Sequence, residues 1–380
     1  MNQAITGANV FDGSTLLQNY AVIIDGSEIV ATVPEHSLPT DIDRLHLDGG
    51  VLAPGFIDLQ VNGGGGVLFN NHVSLNTLRT MVHSHRAGGT TAMLPTLISD
   101  RWATQRAGIE AVVTALAAAE PGIVGIHIEG PFFSLPRRGA HQAQYIRKLQ
   151  QSDIDRLTAI NRVPMIVTLA PECTEAGQIQ QLVNAGIRVC AGHSDGSFAD
   201  IQCALAEGLS GFTHLFNAMT GLQSREPGVV GAALADRHSW CGIIADGHHV
   251  HPATIAIAHA AKADHKLFLV TDAMATVGSD QPAFELYGET VREHGGRLIN
   301  AEGRLAGSAI RMIDAVKICV TEVGLELGEV LRMASLYPAQ FIRQDHHRGA
   351  IKAGFQADLV HFNDHYKVQH NWIAGECLSY

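Results

Sequence analysis

Reactive side chains stand at the ends of short apolar runs in this sequence. Glu129 follows one run directly, His193 follows another after a glycine, and His214 follows the next one. One carboxylate and two imidazoles, with coordination positions left open for water, form a ligand set typical of hydrolytic zinc sites. Asp272 follows the last run, where a carboxylate could take a proton from activated water and later give it to a leaving amine. These residues predict metal-dependent hydrolysis.

Ordinary structural roles are the alternative. The chain contains 21 histidines, so a single histidine is weak support for a metal ligand. Glu129, His193 and His214 could be independent polar residues, and Asp272 could cap the next helix. Other chemistry has less support: no lysine follows any of the apolar runs, as Schiff-base catalysis requires. The run Gly63 to Gly66 also lacks the residues of a nucleotide-binding loop.

The placement of these residues indicates a barrel. From Ala53 onward, apolar runs alternate with Ala- and Leu-rich stretches of helical periodicity, as in βα units around a parallel sheet. A TIM-type (β/α)8 barrel needs eight strands, and its catalytic groups sit at their carboxyl ends. The eight runs are Gly55 to Leu59, Thr90 to Leu94, Val124 to Ile128, Met165 to Leu169, Arg188 to Ala191, Gly211 to Thr213, Cys241 to Ala245 and Lys266 to Val270. Further polar residues that follow these runs include Thr96, Glu172 and Asp246. The predicted helices include Leu75 to Ala87, Trp102 to Ala119, Ala176 to Ala185, Phe198 to Glu207 and Pro252 to Ala263.

Strand-like alternation at both ends of the chain predicts a second, smaller unit. Alternating runs broken by turn residues fill the first 52 residues, and the pattern returns in Asp358 to Phe362 and Lys367 to Ile373. We expect residues 1–52 and 349–380 to form one small β-sandwich domain and residues 53–348 to form the barrel. Before the tail we expect a hairpin over Phe284 to Arg304 and helices over Ala309 to Val323 and Leu327 to Ile342.

Composition limits the classes of partner. The 380 residues, 46% of them hydrophobic, suffice for a large core. The net charge of −11 argues against a nucleic-acid partner. An anionic ligand must therefore meet a local basic spot, for which Arg225 and His249 are candidates. The six cysteines form no CxxC pair, and no stretch of about eighteen apolar residues occurs. We expect a cytoplasmic protein with reduced thiols and no membrane partner.

Several segments carry a resemblance to a known family. They run in family order across nearly the whole chain: Pro54-Gly55-Phe56-Ile57-Asp58, His127-Ile128-Glu129-Gly130-Pro131, Gly139-Ala140-His141, Ala191-Gly192-His193-Ser194, Thr213-His214-Leu215-Phe216-Asn217-Ala218-Met219, Ala245-Asp246-Gly247 and Val270-Thr271-Asp272-Ala273. On these segments the sequence resembles the N-acetylglucosamine-6-phosphate deacetylases of the amidohydrolase superfamily. The resemblance implies hydrolysis of N-acetyl-D-glucosamine 6-phosphate to D-glucosamine 6-phosphate and acetate, in amino-sugar catabolism and cell-wall recycling.

The resemblance also implies roles for individual residues. It places the metal on Glu129, His193 and His214, and it makes Asp272 the general base and then the general acid. His141 would polarise the acetamide carbonyl beside the metal. The residues expected to bind the substrate are Ala140, His141, Asn217, Ala218, Arg225, His249, Ala306, Gly307 and Ser308. In this family the phosphate pocket draws on a neighbouring subunit, so the resemblance implies a homodimer.

Gln60 and Asn62 stand where many members of the superfamily carry His-x-His after the first strand. Carboxamides are poor zinc ligands, and no lysine ends a strand where it could be carboxylated as a bridge. We therefore expect one divalent metal per subunit, with the second metal position lost at Gln60 and Asn62. Zn2+ is the expected ion, although Glu with two His also accommodates Fe2+, Co2+ or Ni2+.

Two other functions remain open. The first is deacetylation of a related amino-sugar phosphate, because fold and metal set do not fix the substrate. The second is a non-catalytic protein that binds or senses a sugar phosphate. That function predicts a broken constellation, whereas Glu129, His193, His214 and Asp272 are all present.

Overall fold

The computed structural model describes residues 2–160, 163–262 and 265–380 of the chain. Its described N-terminal residues form seven strands: β1 (Asn2–Thr6), β2 (Asn9–Phe11), β3 (Leu16–Leu17), β4 (Tyr20–Asp25), β5 (Glu28–Pro34), β6 (Asp43–His46) and β7 (Val51–Pro54). Strands β5, β4, β1 and β6 form one sheet in that order. Gly26 has a positive φ of 55°, which glycine adopts at little cost and which allows the tight turn between β4 and β5.

Within the described ranges, eight parallel strands form the barrel sheet. After β7 come β8 (Phe56–Val61), the short hairpin strands β9 (Gly63–Gly64) and β10 (Val67–Leu68), and then β11 (Thr90–Ile98), β12 (Ile126–Glu129), β13 (Met165–Leu169), β14 (Arg188–Ala191), β15 (Gly211–Phe212), β16 (Trp240–Ile243) and β17 (Leu267–Leu269). Strand β8 and strands β11 to β17 are hydrogen-bonded in chain order. Nearly all their residues are buried, because helices cover one face and packed side chains fill the interior.

The largest difference from the predicted strands lies in β11. The sequence predicts an end at Leu94, before Pro95, whereas the strand continues to Ile98. The pairing of β11 with β8 shifts register between Met93 and Pro95. Such an irregularity accommodates a proline, which cannot donate a backbone hydrogen bond. Ser99 therefore stands at the carboxyl end of the second barrel strand.

Seven α-helices alternate with the barrel strands in the described ranges: α1 (Leu75–Arg86), α2 (Trp102–Ala117), α3 (Gln151–Thr158), α4 (Gln178–Asn184), α5 (Phe198–Ala206), α6 (Gly228–Ala235) and α7 (Pro252–Ala261). The predicted end of the last of these helices, Ala263, lies outside the described residues. Short 3-10 turns cover Glu35–Ser37, Leu135–Arg137, Ala143–Tyr145 and Pro171–Cys173. None of the described helices has the length and hydropathy needed to cross a membrane.

Hydrogen bonds between the first and last barrel strands close the barrel. The Asn62 N–H donates to the Ala273 carbonyl over 2.8 Å, and the Asp272 N–H donates to the Gln60 carbonyl over 2.9 Å. Asp58, which is fully buried, accepts from the Thr271 hydroxyl over 2.5 Å and from the Thr271 N–H over 3.2 Å. The two ends of the barrel sheet therefore meet beside Asp272.

A four-stranded antiparallel sheet, here called the second sheet, follows the barrel strands. It consists of β18 (Ala283–Leu286), β19 (Glu289–His294), β20 (Arg297–Ile299) and β21 (Leu305–Ser308), so the predicted hairpin is part of a larger unit. Three helices come next: α8 (Met312–Thr321), α9 (Leu327–Ala334) and α10 (Leu336–Phe341). The predicted helix over Leu327 to Ile342 breaks at Ser335, because Pro338 cannot donate to the Ala334 carbonyl.

The chain ends in strands that join the N-terminal ones. Strands β22 (Leu359–Phe362), β23 (Val368–Ile373) and β24 (Glu376–Ser379) lie in a sheet of order β24-β23-β22-β7-β2-β3. A shared core that includes Ile5, Val22, Leu52 and Trp372 packs this sheet against the β5-β4-β1-β6 sheet. The predicted fold class, a (β/α)8 barrel with a small β-sandwich built from both termini, is therefore confirmed. The limits at residues 52 and 349 remain a prediction.

Replacing Asp58 by Asn measures the cost of burying this carboxylate. Burial raises the pKa of Asp58 from 3.8 to about 7, so the folded chain binds this proton more tightly than the unfolded chain. Stability from this group is therefore present below about pH 4 and lost as the pH rises to about 7. Asn does not titrate, so the free energy of unfolding of the Asp58→Asn protein should rise relative to wild type across this interval, by roughly 2 to 4 kcal/mol.

The measurement is urea unfolding of both proteins at a series of pH values from about 4 to about 8. The matched control is Asp41→Asn, which changes an exposed aspartate between β5 and β6. Its stability difference from wild type is the baseline for the comparison. A difference for Asp58→Asn that follows this baseline at every pH would contradict the expected cost.

Candidate metal centre and active site

Glu129, His193 and His214 converge at the carboxyl ends of three barrel strands. Glu129 is the last residue of β12, and the two histidines follow β14 and β15. The His193 and His214 Nε2 atoms lie 3.3 and 3.0 Å from Glu129 Oε1, and 3.1 Å from each other. A tetrahedral ion with bonds of 2.0–2.1 Å separates its ligand atoms by about 3.3 Å. The three atoms are thus spaced to hold one metal ion, and all three side chains are buried.

The hydrogen bonds of the two histidines suit metal binding. His193 Nδ1 lies 2.9 Å from the Arg137 carbonyl, to which it can only donate, so Nε2 is the ring nitrogen left to bind a metal. His214 Nδ1 is buried and has no hydrogen-bond partner among the described residues. The Nε2 atoms of both histidines face each other and Glu129 Oε1 at hydrogen-bond distance, so a proton or a cation must lie among these three atoms. The donor set therefore fits a divalent cation.

Electrostatics at Glu129 favour its charged form. Burial raises the pKa of Glu129, but hydrogen bonds and charge interactions with His193 and His214 outweigh burial and hold the pKa well below its usual range. A carboxylate that stays ionised is the form that binds a metal. Gln60 contributes a further hydrogen bond, because its Nε2 donates to Glu129 Oε1 over 3.1 Å.

Asp272 lies beside this set and has a different environment. Asn62 Nδ2 donates to Asp272 Oδ1 over 2.6 Å, and Gln60 Nε2 donates to the same oxygen over 3.2 Å. Burial, reinforced by the charge of Glu129, raises the pKa of Asp272 to about 7. A carboxylate with this pKa can accept a proton and release it again near neutral pH. The amides at positions 60 and 62 thus donate hydrogen bonds at the predicted position of the lost second metal.

Left-handed backbone conformations aim several site residues inward. His193, His214 and Asp272 have φ values of 51°, 35° and 52°. Residues other than glycine pay a strain energy of roughly 1–3 kcal/mol for such conformations, which the surrounding structure must offset. Strain of this kind concentrates at functional sites and is consistent with one here.

A cavity of about 160 Å3 opens in front of the metal set, which consists of Glu129, His193 and His214. His141 lines it, and burial lowers the pKa of His141 well below its usual range, so the ring is neutral near pH 7. The predicted site residues that line this cavity are Glu129, Ala140, His141, His193, His214, Asn217, Ala218, His249, Asp272 and Gly307. Met274, Ile98, Ile244 and Leu305 add apolar walls. The structure therefore brings together the predicted metal ligands, the acid–base candidates and most of the predicted substrate contacts.

Three predicted substrate contacts lie outside this cavity. Arg225 is exposed in the segment before α6. Ala306 lies in β21, the last strand of the second sheet, and is fully buried in the core on one face of that sheet. Ser308 is buried and donates through Oγ to the Thr271 carbonyl over 2.6 Å and through its N–H to the Asp272 carbonyl over 2.9 Å. Contact of these residues with substrate remains a prediction.

His249 is the candidate for binding an anionic group that lies inside the cavity. Its Nδ1 lies 2.6 Å from Asp246 Oδ2. Burial lowers the pKa of His249, but the hydrogen bond and charge of Asp246 outweigh burial and leave the pKa above its ordinary value. Asp246, which the sequence places at a strand end without a specific role, therefore holds His249 in a form that favours an anionic ligand.

At the end of the second barrel strand, Ser99 reaches the site instead of the predicted Thr96. The sequence places Thr96 after the second apolar run, but its Oγ1 accepts from the Val61 N–H inside the barrel. Ser99 directly follows the extended β11, and its Oγ lies 2.8 Å from His141 Nδ1. Sequence reasoning misses Ser99 because Pro95 interrupts the run that leads to it. The apolar pattern that resumes after Pro95 is the signal that could identify Ser99.

Comparisons with known proteins agree with this architecture. A model of the amidohydrolase family matches residues 51–378, and a model described as the NagA composite domain matches residues 3–52. The chain is 42% identical over 375 residues to an N-acetylgalactosamine-6-phosphate deacetylase of Shewanella sp. (strain ANA-3), covering 98% of this chain and 95% of that one. It is 35% identical over 379 residues to an N-acetylglucosamine-6-phosphate deacetylase of Haemophilus influenzae, covering 99% of each. The crystal structure of N-acetylglucosamine-6-phosphate deacetylase from Pasteurella multocida matches with a TM-score of 0.97 and 36% identity over 100% of both chains.

Removing one histidine from the metal set should abolish tight metal binding. We expect wild-type protein to bind one divalent ion per chain, and His193→Ala or His214→Ala to weaken binding by more than about 100-fold, since even changes around metal ligands cost 10–100-fold. Equilibrium dialysis against Zn2+ with metal analysis measures both quantities. His248→Ala, which removes an exposed histidine at the same barrel mouth, is the control and should bind like wild type. Two ions per wild-type chain would contradict the single-site geometry.

Proposed function

The chain belongs to the amidohydrolase family, and from this premise we propose that it hydrolyses N-acetyl-D-glucosamine 6-phosphate to D-glucosamine 6-phosphate and acetate. The observation that carries the proposal is the buried set of Glu129, His193 and His214 with Asp272 beside it. The proposal is also supported by full-length relatives that are deacetylases of N-acetylated hexosamine 6-phosphates.

One divalent metal ion per subunit completes the proposed site. Glu129, His193 and His214 would hold it, and Zn2+ suits one carboxylate and two imidazoles, as Fe2+, Co2+ and Ni2+ also do. When bound, such an ion supplies Lewis acidity, which polarises a carbonyl and makes an adjacent water more acidic. Gln60 and Asn62 are directed to Asp272 and offer amide N–H groups there, which supports a single-metal site.

The protein's own groups supply proton transfer and charge stabilisation. Asp272, with its pKa raised to about 7, accepts the proton of the attacking water and then delivers it to the departing amine. His141 is neutral and lines the cavity, so one ring nitrogen can donate a hydrogen bond to the acetamide oxygen as negative charge develops there. Ile244 and Met274 add apolar walls to the cavity, which limit the access of bulk water to the site.

The phosphate requires positive charge that one chain supplies only in part. Among the described residues that line the cavity there is no lysine or arginine, and His249, which pairs with Asp246, is the predicted phosphate-binding residue there. Arg225 is exposed and outside the cavity. We therefore propose a homodimer in which His249 of one subunit and Arg225 of the partner subunit bind the same phosphate.

Deacetylation of N-acetyl-D-galactosamine 6-phosphate is the second candidate. The relative that is 42% identical to this chain carries that name, and the two sugars differ only in the configuration at one hydroxyl-bearing carbon. The metal set and Asp272 would serve either substrate equally, because these groups act on the acetamide, which the two sugars share. The choice therefore depends on contacts with the sugar ring.

The cellular setting follows from the substrate. We propose a role in amino-sugar catabolism and cell-wall recycling, in the cytoplasm. The six cysteines are all free thiols, which is consistent with a reducing compartment.

Replacing Asp272 by Asn should remove most of the turnover while leaving binding intact. Asn keeps the size of the side chain but cannot accept and return a proton, so kcat should fall by roughly 1,000-fold or more. Acetate release measures turnover, and metal analysis with calorimetric titration of substrate measures binding. Asp195→Asn changes a half-exposed carboxylate bound to Arg137 and serves as control. Near-normal turnover of Asp272→Asn would refute its proposed role.

Substrate preference separates the two candidate sugars. We expect kcat/KM for N-acetylglucosamine 6-phosphate to exceed the values for the galactosamine and mannosamine analogues by about tenfold or more, because a mismatched hydroxyl leaves polar groups unpaired. Acetate release from each sugar phosphate under identical conditions gives the ratios. A higher value for the galactosamine compound would assign the second function.

Mixing two inactive variants tests the shared phosphate pocket. If Arg225 acts across the dimer, then Arg225→Ala and Asp272→Asn proteins should restore activity when they are unfolded and refolded together. Half of the randomly formed dimers are mixed and each has one complete site, so activity should reach about a quarter of wild type. Each variant refolded alone is the control. Mixtures no more active than these controls would place Arg225 outside the neighbouring site.

A further inference from the structure

His141 receives its polar ring contacts from one residue of the described chain. The Ser99 N–H lies 3.2 Å from His141 Nδ1, and Ser99 Oγ lies 2.8 Å from the same nitrogen. Both residues are buried. A backbone N–H can only donate, so Nδ1 must be the acceptor and carries no proton. The proton of the neutral ring therefore sits on Nε2.

Ser99 is itself held from two sides. Asn70 Nδ2 donates to the Ile98 carbonyl over 3.1 Å, and Asn70 Oδ1 accepts from the Ile98 N–H over 3.0 Å. The Ile98 carbonyl belongs to the same planar peptide group as the Ser99 N–H, so Asn70 fixes the direction of that N–H. On the other side, the Tyr287 hydroxyl donates to the Ser99 carbonyl over 2.5 Å.

Neighbouring rings restrict rotation of His141. Phe133 packs edge-on against it, with ring centroids 5.0 Å apart. The His193 ring lies 4.6 Å away on another side. A 180° flip of the imidazole, which would put Cδ2 in the place of Nδ1 and Cε1 in the place of Nε2, would have to displace these packed rings, which are buried. The Nδ1 contact with Ser99 is therefore the orientation that the packing maintains.

We propose that Ser99 is a positioning residue, which fixes the tautomer and orientation of His141 so that Nε2–H points toward the cavity. This inference rests on the proposed function, in which His141 donates a hydrogen bond to the acetamide oxygen. A donor must already carry its proton when charge develops on that oxygen. Asn70 and Tyr287 act one step farther from the substrate by fixing Ser99.

The position of the proton can be observed directly. Neutron diffraction from deuterium-exchanged crystals of the zinc-loaded protein should show deuterium on His141 Nε2 and none on Nδ1. Deuterium on Nδ1 would overturn the proposal. This measurement does not depend on turnover, so it tests the tautomer even if the substrate assignment fails.

Kinetics test whether Ser99 acts through His141. Ser99→Ala removes the hydroxyl but keeps the N–H, so kcat should fall by about fivefold with KM within about twofold of wild type. In a His141→Gln background the same change should have no further effect, because residues that act through one group are not additive. A fivefold loss in both backgrounds would mean that Ser99 acts independently and would overturn the proposal.

A tyrosine pair provides a matched control. Tyr287→Phe removes the hydrogen bond to the Ser99 carbonyl, and we expect kcat to fall by about threefold. Tyr145 lies beside it, with ring centroids 6.0 Å apart, and forms no hydrogen bond with Ser99 in the described part of the chain. Tyr145→Phe should therefore leave kcat unchanged. Equal effects of the two substitutions would argue against a specific path through Ser99.

Discussion

Two buried carboxylates, Glu129 and Asp272, share the centre of the barrel mouth, and the site is organised around the charge that they concentrate there. Gln60 donates to both of them, and His193 and His214 face Glu129. Because burial strengthens repulsion between like charges, the two groups cannot behave alike. Glu129 stays ionised, whereas the pKa of Asp272 rises to about 7. This difference suits the proposed roles of Glu129 as metal ligand and Asp272 as proton carrier.

Much of this arrangement can be predicted from the sequence. Parallel strands bury both faces, so each leaves a continuous apolar run, and the residue after the run must lie at the barrel mouth. This rule identifies Glu129, His193, His214 and Asp272, and the structure brings them together. Strands β13 and β14 agree with the prediction at both ends, because turn residues bound their runs.

Other features leave little or no local signal in the sequence. Helix α6 is apolar on every side and nearly all buried, so no amphipathic period marks it. The role of Asp58 depends on Thr271, which lies 213 residues away in the chain. Ser99 escapes prediction because Pro95 interrupts the run that leads to it. Contacts that form only when the barrel closes, such as that of Asp58 with Thr271, therefore cannot be predicted from local sequence patterns.

The closure of the barrel has a consequence for when the enzyme can first work. Asp272 is 210 residues from Asn62 and 212 from Gln60 in sequence, and these partners meet only when the last strand docks beside the first. An emerging chain on the ribosome thus contains Glu129, His193 and His214 before it contains Asp272. Under the proposed mechanism, turnover therefore requires that synthesis and folding have both passed the last barrel strand.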